Sequence, residues 1–203
     1  NAESNVFVLY NLYEGYKSYE AGVGTNDGPL NPLGAAFGFG GLMRIETMLE
    51  RAEQFARSGD SVADIIGFSR GAAQARSFAN RLRERIPCVR IRWMGLFETV
   101  ASEGLPNDVN VGYALGIPRD AGAGLHLTAG GERRRTTFAL TSIRPGPDLA
   151  PPNSDFREIE LPGAAHSDVG GGYESNRGLA NFALLMMWQD GRDHAVPFRT
   201  IPN

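Results

Sequence analysis

VADIIGFSRGAAQARSFANRLRER, residues 62–85, is the stretch of sequence that decides the fold. Its first seven residues form a short apolar run, which is typical of a strand covered on both faces of a sheet. Residues 71–85 predict a helix whose inward side carries Ala72, Ala75, Ala79 and Leu82. Residues 89–97 (VRIRWMGLF) then return to a strand pattern. Strand, tight turn, helix and strand in this order predict a βαβ unit with parallel strands.

The turn inside this unit reads Gly67-Phe68-Ser69-Arg70-Gly71, a Gly-x-Ser-x-Gly pattern between a strand and a helix. The serine of such a turn adopts a strained backbone conformation, and we expect both glycines to be needed for close packing of the helix against the strand. Ser69 Oγ would then stand at the positive N-terminus of the helix. The backbone N–H of Arg70 would be placed to donate to a developing oxyanion. The alternative is an ordinary turn in which Ser69 only caps the helix.

The rest of the chain extends this unit to an α/β protein. Further helices are predicted at 5–13, 41–57 and 179–189, and further strands at 17–20, 136–141 and 156–163. Apart from one of these strands, residues 101–153 are expected to be loop. The alternation predicts a single α/β domain over residues 1–203, with a mostly parallel sheet and helices on both faces.

Composition and charge exclude several classes of function. The 203 residues are 42% hydrophobic and 21% charged, which is typical of a globular domain. The net charge of −3 gives no attraction to phosphate backbones, so a nucleic-acid partner is not expected. The single cysteine, Cys88, rules out an internal disulfide and a thiolate metal site. No transmembrane segment and no signal peptide are recognised, and no cofactor or metal is expected.

An activated serine needs a general base, and the chain holds three histidines. In hydrolases with this turn the chain order is Ser, acid, His, with the histidine on a loop after a late strand. His166 fits this pattern, because it follows the strand predicted at 156–163 and lies in a Gly-rich turn. His194 is expected at the solvated surface. His126 is expected in a surface loop, with contact to substrate as the alternative. The alternative for His166 is a structural histidine that bonds its own turn.

The acid that would orient the histidine is predicted to be Glu98. It follows the strand after the serine turn and would face the same sheet edge as Ser69 if the strands are parallel. Asp168, Glu132 and Asp108 compete for this role. Asp168 suits the bracing of its own turn through backbone N–H groups better.

Taken together, several segments resemble a known family. They are GFSRGAAQARSFA (67–79), GLFETVAS (95–102) and LPGAAHSDVGGGY (161–173), with AGVGT (21–25) upstream. The combination resembles the type VI secretion phospholipase effectors, namely the first lipase effector group and its related α/β-hydrolase domain family. The resemblance implies an α/β-hydrolase fold and an esterase that acts on phospholipid acyl chains, often delivered as an antibacterial toxin.

Partners and localisation follow from the same resemblance. It implies a lipid or small ester as substrate, and an immunity protein or a secretion carrier as protein partner. The protein would lie in the bacterial cytoplasm before a type VI system delivers it into a target cell.

The sequence departs from the family pattern at three places. Glu98 stands where the family usually has Asp, and GGERR (130–134) lacks an Asp that usually lies near its Glu-Arg-Arg. The family also begins with a strand that ends in Asp-Gly-Thr, whose loop could supply a second oxyanion donor. That first strand is missing ahead of residue 1, so we expect the chain to be a fragment.

The mechanism expected from these residues is acyl transfer, in which Ser69 attacks an ester carbonyl while His166 takes its proton. LGAAFGFGGLM (33–43) would line an acyl groove, form a lid, or simply pack ahead of the helix.

One alternative function is that of a catalytically silent α/β-hydrolase-like domain used for binding or assembly. A metal-dependent hydrolase using His166 and Asp168 would need further ligands at matched spacing. A phosphate loop at AGVGTNDG (21–28) would need a Gly-Lys-Ser/Thr ending that is absent.

Overall fold

A parallel β-sheet forms the centre of the protein in the computed structural model, which describes residues 4–21, 39–101, 112–131, 155–172 and 177–201. Within these ranges the sheet has four strands in the order β1-β2-β3-β4, and every pairing is parallel. The strands are β1 (Val62–Phe68), β2 (Arg90–Phe97), β3 (Ala123–Ala129) and β4 (Phe156–Leu161). The predicted βαβ unit and the parallel sheet are confirmed.

Helices cover both faces of the sheet, as predicted. In the described part of the chain they are α1 (Asn5–Leu12), α2 (Phe39–Arg57), α3 (Arg70–Arg85), α4 (His166–Gly170) and α5 (Gly178–Asp193). None of them is both long and apolar enough to cross a membrane. Ser4 caps the N-terminus of the short α1, since its Oγ accepts a hydrogen bond from the Phe7 N–H at 3.3 Å. At its other end Lys17 Nζ donates to the carbonyls of Tyr10 and Tyr13.

The two faces bury separate apolar cores, because successive side chains of a strand point to opposite sides. On one face Ile45 and Leu49 of α2, together with the alanines of α3, pack against Met94 and Leu96 of β2. On the other face α1, α4 and α5 contribute to a core that includes Trp93, Phe97, Leu125, Leu127 and Met187. The sheet is therefore covered on both sides, and its functional groups are found where its strands end.

One strand prediction differs from the structure, and another lies outside the described residues. Residues 17–20, predicted as a strand, pair with no strand in the described ranges. Tyr16 and Tyr19 instead place their rings against Phe55 and against the aromatic side chains of α1. The strand predicted at 136–141 lies outside the described residues.

Strand β3 is absent from the sequence prediction, which expected loop there. Its sequence, AGLHLTA, has a glycine and a histidine at positions where a strand pattern would show branched apolar residues. The structure shows why glycine stands at 124: a Cβ there would lie 2.3 Å from the Phe156 ring and 2.6 Å from the Met94 carbonyl oxygen. Close packing of three neighbouring strands, which is not a local property, selects this residue.

Candidate active site

The turn between β1 and α3 holds Ser69 in the strained conformation expected of a nucleophile. Its backbone has φ 58° and ψ −127°, a conformation that residues other than glycine rarely adopt. The Ser69 N–H donates to the Phe97 carbonyl at 3.0 Å, and the Val100 N–H donates to the Ser69 carbonyl at 3.2 Å. The Ser69 side chain makes no capping hydrogen bond to α3, which argues against the simple capping alternative.

The two glycines of the turn are not equivalent. A Cβ on Gly67 would lie 2.5 Å from the Gly71 carbonyl oxygen and 2.7 Å from Ala72 Cα, so only glycine lets the helix start so close to the strand. A Cβ on Gly71 would meet no described atom within 4 Å. The expectation that both positions must be small is confirmed for Gly67; among the described residues nothing requires it at Gly71.

His166 contacts Ser69: its Nε2 lies 3.0 Å from Ser69 Oγ. The imidazole is 9% exposed. The predicted Gly-rich turn is in fact the short helix α4, and His166 is its first residue. A helix start after β4 brings the imidazole to the carboxyl edge of the sheet, where β1 also ends.

Two residues that the sequence analysis did not single out position the His166 ring. The Phe68 ring lies 4.7 Å from the imidazole, centroid to centroid. A Cβ on Gly170 would lie 2.2 Å from the Phe68 ring. The Gly-Gly-Gly run at 170–172 was the available signal, since a glycine in a helix often marks a close approach.

Glu98 lies at the carboxyl end of β2, at the same sheet edge as Ser69, in agreement with the expected arrangement. Its side chain is buried, at 1% exposure, and its backbone has φ 41°. The Glu98 N–H donates to the Leu127 carbonyl at 2.7 Å, and its Oε2 accepts a hydrogen bond from the Ala129 N–H. The end of β3 thus holds both the backbone and the carboxylate of Glu98.

The remaining predicted residues divide into two groups. Asp168 Oδ2 accepts a hydrogen bond from the Ala165 N–H at 2.8 Å, so its carboxylate braces the start of α4. Arg70 is the first residue of α3, at the positive end of the helix dipole. Asp108 and Glu132 lie outside the described residues.

Comparison with known protein families identifies the chain. A family model described as T6SS phospholipase effector Tle1-like, catalytic domain, matches residues 80–190, more than half of the sequence. The chain belongs to this family. The matched segment contains Glu98 and His166, and Ser69 lies ahead of it. The resemblance noted from the sequence is confirmed.

Two solved structures are similar to this Tle1-like chain. One is the crystal structure of an uncharacterized protein from Pseudomonas aeruginosa, with 28% identity, a TM-score of 0.55 and coverage of 77% of this chain and 27% of that chain. The other is the Tle1 effector bound to the VgrG spike from the Type 6 secretion system, with 27% identity, a TM-score of 0.58 and coverage of 84% and 40%. The chain therefore spans less than half of either solved chain. No curated protein matches. The α/β-hydrolase-like fold predicted from the sequence is confirmed.

His126, expected in a surface loop, is buried in the middle of β3 at 1% exposure. Its Nε2 accepts a hydrogen bond from the Thr99 N–H at 3.1 Å, and its Nδ1 lies 2.9 Å from Glu158 Oε2. Burial lowers the pKa of His126, although the Glu158 carboxylate opposes this shift. The prediction was wrong because the partners of the imidazole lie just beyond β2 and on β4, far from His126 in the sequence.

His194 is half-buried at the end of α5, and its Nδ1 lies 2.7 Å from the Asp190 carbonyl oxygen. It is therefore partly packed rather than the fully solvated residue that the sequence suggested. In the described ranges, no group of three His, Cys, Asp or Glu side chains is placed to hold a metal ion.

A cavity of about 440 Å³ lies beside Ser69 and is lined in part by residues of β1. Its walls are largely aromatic and aliphatic side chains of α1, the segment after it, α2 and β1, including Tyr10, Tyr19, Met48, Phe55 and Ile65. The segment 33–43 was expected to line an acyl groove, form a lid or pack ahead of the helix. Its described part does not line this cavity, since Leu42 packs against the core and Met43 is exposed. Residues 33–38 lie outside the described residues.

Proposed function

We propose that residues 1–203 form one α/β-hydrolase domain that hydrolyses acyl esters, with Ser69 as nucleophile and His166 as general base. The observation that carries this proposal is the 3.0 Å contact between His166 Nε2 and the Oγ of a strained Ser69 in a Tle1-like domain. A nucleophile and a base within hydrogen-bond reach are the signature of covalent acyl transfer. An inert turn would not need Ser69 to keep a left-handed backbone conformation.

The chemistry follows from this contact. His166 Nε2 takes the proton of Ser69 Oγ as the oxygen attacks the ester carbonyl, and a tetrahedral oxyanion forms. The Arg70 N–H, at the start of α3, donates to that oxyanion. His166 then gives its proton to the departing alcohol, which leaves an acyl-Ser69. Water adds to the acyl group with His166 again as base, the carboxylic acid leaves, and Ser69 Oγ recovers its proton.

Glu98 is the acid that we assign to His166. A buried carboxylate at the same sheet edge would stabilise the imidazolium that forms in both steps. Its burial at 1% and its fixed position at the end of β2 support this role. Asp168 Oδ2 accepts the N–H of Ala165 at the start of its own helix, which gives this carboxylate a structural role in that turn.

The substrate we propose is a phospholipid, whose acyl chain would occupy the cavity beside β1. Small-molecule sites are mostly apolar and measure about 300–1,000 Å³. The cavity of about 440 Å³ falls in this range, and Ser69 lies among its lining residues. An acyl chain laid against Met48 and Phe55 could therefore present its ester carbonyl to the serine.

Delivery by a type VI system is also a proposal for this chain. It rests on family membership and on the similar Tle1 effector, whose solved structure contains the VgrG spike. A spike protein would then be the secretion carrier, and an immunity protein would protect the producing cell.

Labelling with a fluorescent fluorophosphonate tests the proposal. We expect the wild type to be labelled, Ser69→Ala to be unlabelled, and His166→Ala to be labelled at least about 100-fold more slowly. His194→Ala serves as the matched control, since it removes an imidazole away from Ser69. Release of fatty acid from phospholipid vesicles, compared with a short-chain ester, then identifies the substrate class. A folded wild type that takes no label would overturn the proposal in favour of a silent binding or assembly domain.

A further inference from the structure

One cluster of ionisable side chains lies away from the Ser69–His166 contact and is largely withdrawn from solvent. Arg76 of α3 and His126 of β3 are 0% and 1% exposed, and the Glu158 side chain of β4 is 11% exposed. Burial lowers the pKa of Arg76 to about 10, and the Glu158 carboxylate opposes this shift. Ionisable groups are costly to bury and persist where they are paired and hydrogen-bonded. The contacts of these side chains show which part of the backbone they stabilise.

The imidazole of His126 reaches the backbone beside Glu98. The Thr99 N–H donates to His126 Nε2 at 3.1 Å, and Thr99 Oγ1 lies at the same distance from that nitrogen. One residue earlier, the Glu98 N–H donates to the carbonyl of Leu127, the neighbour of His126 in β3. Two consecutive N–H groups at the end of β2 are therefore fixed by two consecutive residues of β3, the second through a side chain.

This turn needs such fixing because Glu98 has φ 41°. A residue with a side chain adopts a left-handed conformation at an energetic cost and keeps it only where its surroundings determine it. The carboxylate then reaches the Ala129 N–H, again on β3. If the Thr99 N–H lost its acceptor, the turn would be free to relax, and the carboxylate would move with it.

Glu158 selects the tautomer of His126 that can accept the Thr99 N–H. A nitrogen that accepts an N–H must carry no proton, so the proton of the neutral ring lies on Nδ1. Glu158 Oε2 lies 2.9 Å from His126 Nδ1 and accepts a hydrogen bond from the Nδ1–H group. A carboxylate behind an imidazole selects its tautomer and its orientation in this way.

We propose that His126 and Glu158 form a positioning pair that holds the Glu98–Thr99 turn, and through it the Glu98 carboxylate, in place for His166. The inference rests on the proposed role of Glu98 as the acid. His126 contacts no reacting atom, so it acts through the turn and is not a catalytic residue.

The first test compares His126→Leu, which removes the acceptor, with His126→Gln, whose Oε1 can still accept the Thr99 N–H. Fluorophosphonate labelling should slow about 100-fold in His126→Leu, since a misplacement of about 1 Å costs this much. The pH at which labelling is half-maximal should also move, because a displaced Glu98 no longer stabilises the His166 imidazolium. His126→Gln should recover most of the rate and the wild-type pH profile.

A double-mutant cycle separates positioning from general loss of structure. In a Glu98→Gln background, His126→Leu should slow labelling by less than about twofold, because groups that act through one another are not additive. If His126→Leu does not fold, Glu158→Gln takes its place in the cycle, with the same expectation. His194→Gln is the control for loss of an imidazole.

The outcomes separate this inference from the proposed function. If the wild type is labelled at Ser69 while the folded His126 or Glu158 variant keeps the wild-type rate and pH profile, the positioning pair is overturned and the function stands. Equal slowing with and without Glu98→Gln would also overturn it, since the effect would not pass through Glu98. An unlabelled, folded wild type would instead overturn the proposed function, and the pair with it.

Discussion

His166 and His126 are both buried, yet they occupy different parts of the sheet. His166 follows β4 and begins a helix, where its Nε2 faces the hydroxyl of Ser69 beside an open cavity. His126 lies in the middle of β3, with a backbone N–H at one ring nitrogen and a carboxylate at the other. A histidine at a strand end can exchange a proton with a ligand. One inside the sheet, with both nitrogens engaged, can only hold its neighbours.

Glu98 lies between these two regions, and the largest effect is expected there. We expect Glu98→Gln to slow fluorophosphonate labelling on the order of 10³- to 10⁴-fold, as neutral replacement of a triad acid does elsewhere. The exposed Glu50 of α2 provides the matched control, Glu50→Gln, which should label like the wild type. Unchanged labelling of a folded Glu98→Gln would remove Glu98 from the mechanism.

Substitutions at Gly67 and Gly71 test the turn that holds Ser69 without changing the contacts of His126. Gly67→Ala forces a methyl group against the Gly71 carbonyl, so we expect a loss of about 1–3 kcal/mol in the free energy of unfolding. Gly71→Ala lies in a helix and meets none of the described atoms, so it should keep or slightly raise stability. Urea unfolding of both variants measures the difference. Equal destabilisation would mean that the helix start is less closely packed than the structure shows.

The His126 side should be visible in the pH dependence of stability. Burial holds the pKa of His126 in the folded protein below its value of about 6.5 in an unfolded chain. Below that pH the unfolded chain binds more protons, so stability is full above about pH 6.5 and falls as the pH drops toward the folded pKa.

Urea unfolding of the wild type and of His126→Gln at pH 7.5 and pH 5.5 tests this direction. We expect the wild type to lose more stability than the variant on acidification, because the variant lacks the group that titrates. His194→Gln should behave as the wild type does. A wild type and a His126→Gln protein with parallel pH profiles would show that His126 is not held neutral by burial.

The Ser69 side of the site was predictable and the His126 side was not, and the reason is physical. Gly67, Ser69 and the helix after them form a local pattern, since steric constraints of one turn decide which residues fit. His126 depends on Thr99 and Glu158, which lie 27 and 32 positions away and meet it only when the strands pair. A histidine in an unrecognised strand carries no local sign of those partners.

The same difference between local patterns and long-range contacts explains which strands and helices were predictable. Apolar periodicity predicts α2 and α3, and an apolar run predicts β1, because each buries a face that its own sequence displays. Strand β3 escaped prediction because Gly124 is selected by the Phe156 ring and the Met94 carbonyl, both on other strands. Asp168 is an intermediate case, since its bond to the Ala165 N–H spans three residues and was expected.

That bond gives the smallest expected effect and separates Asp168 from Glu98. Asp168→Ala removes the acceptor of the Ala165 N–H at the start of α4, so we expect a loss of about 1 kcal/mol in the free energy of unfolding. Asp168→Asn keeps an acceptor oxygen and should lose less. Labelling of both folded variants should stay within a few-fold of the wild type, because His166 keeps its place against Phe68. If Asp168→Asn instead slowed labelling as much as Glu98→Gln with α4 intact, Asp168 would be the acid, and the turn beyond β4 would supply both histidine and carboxylate.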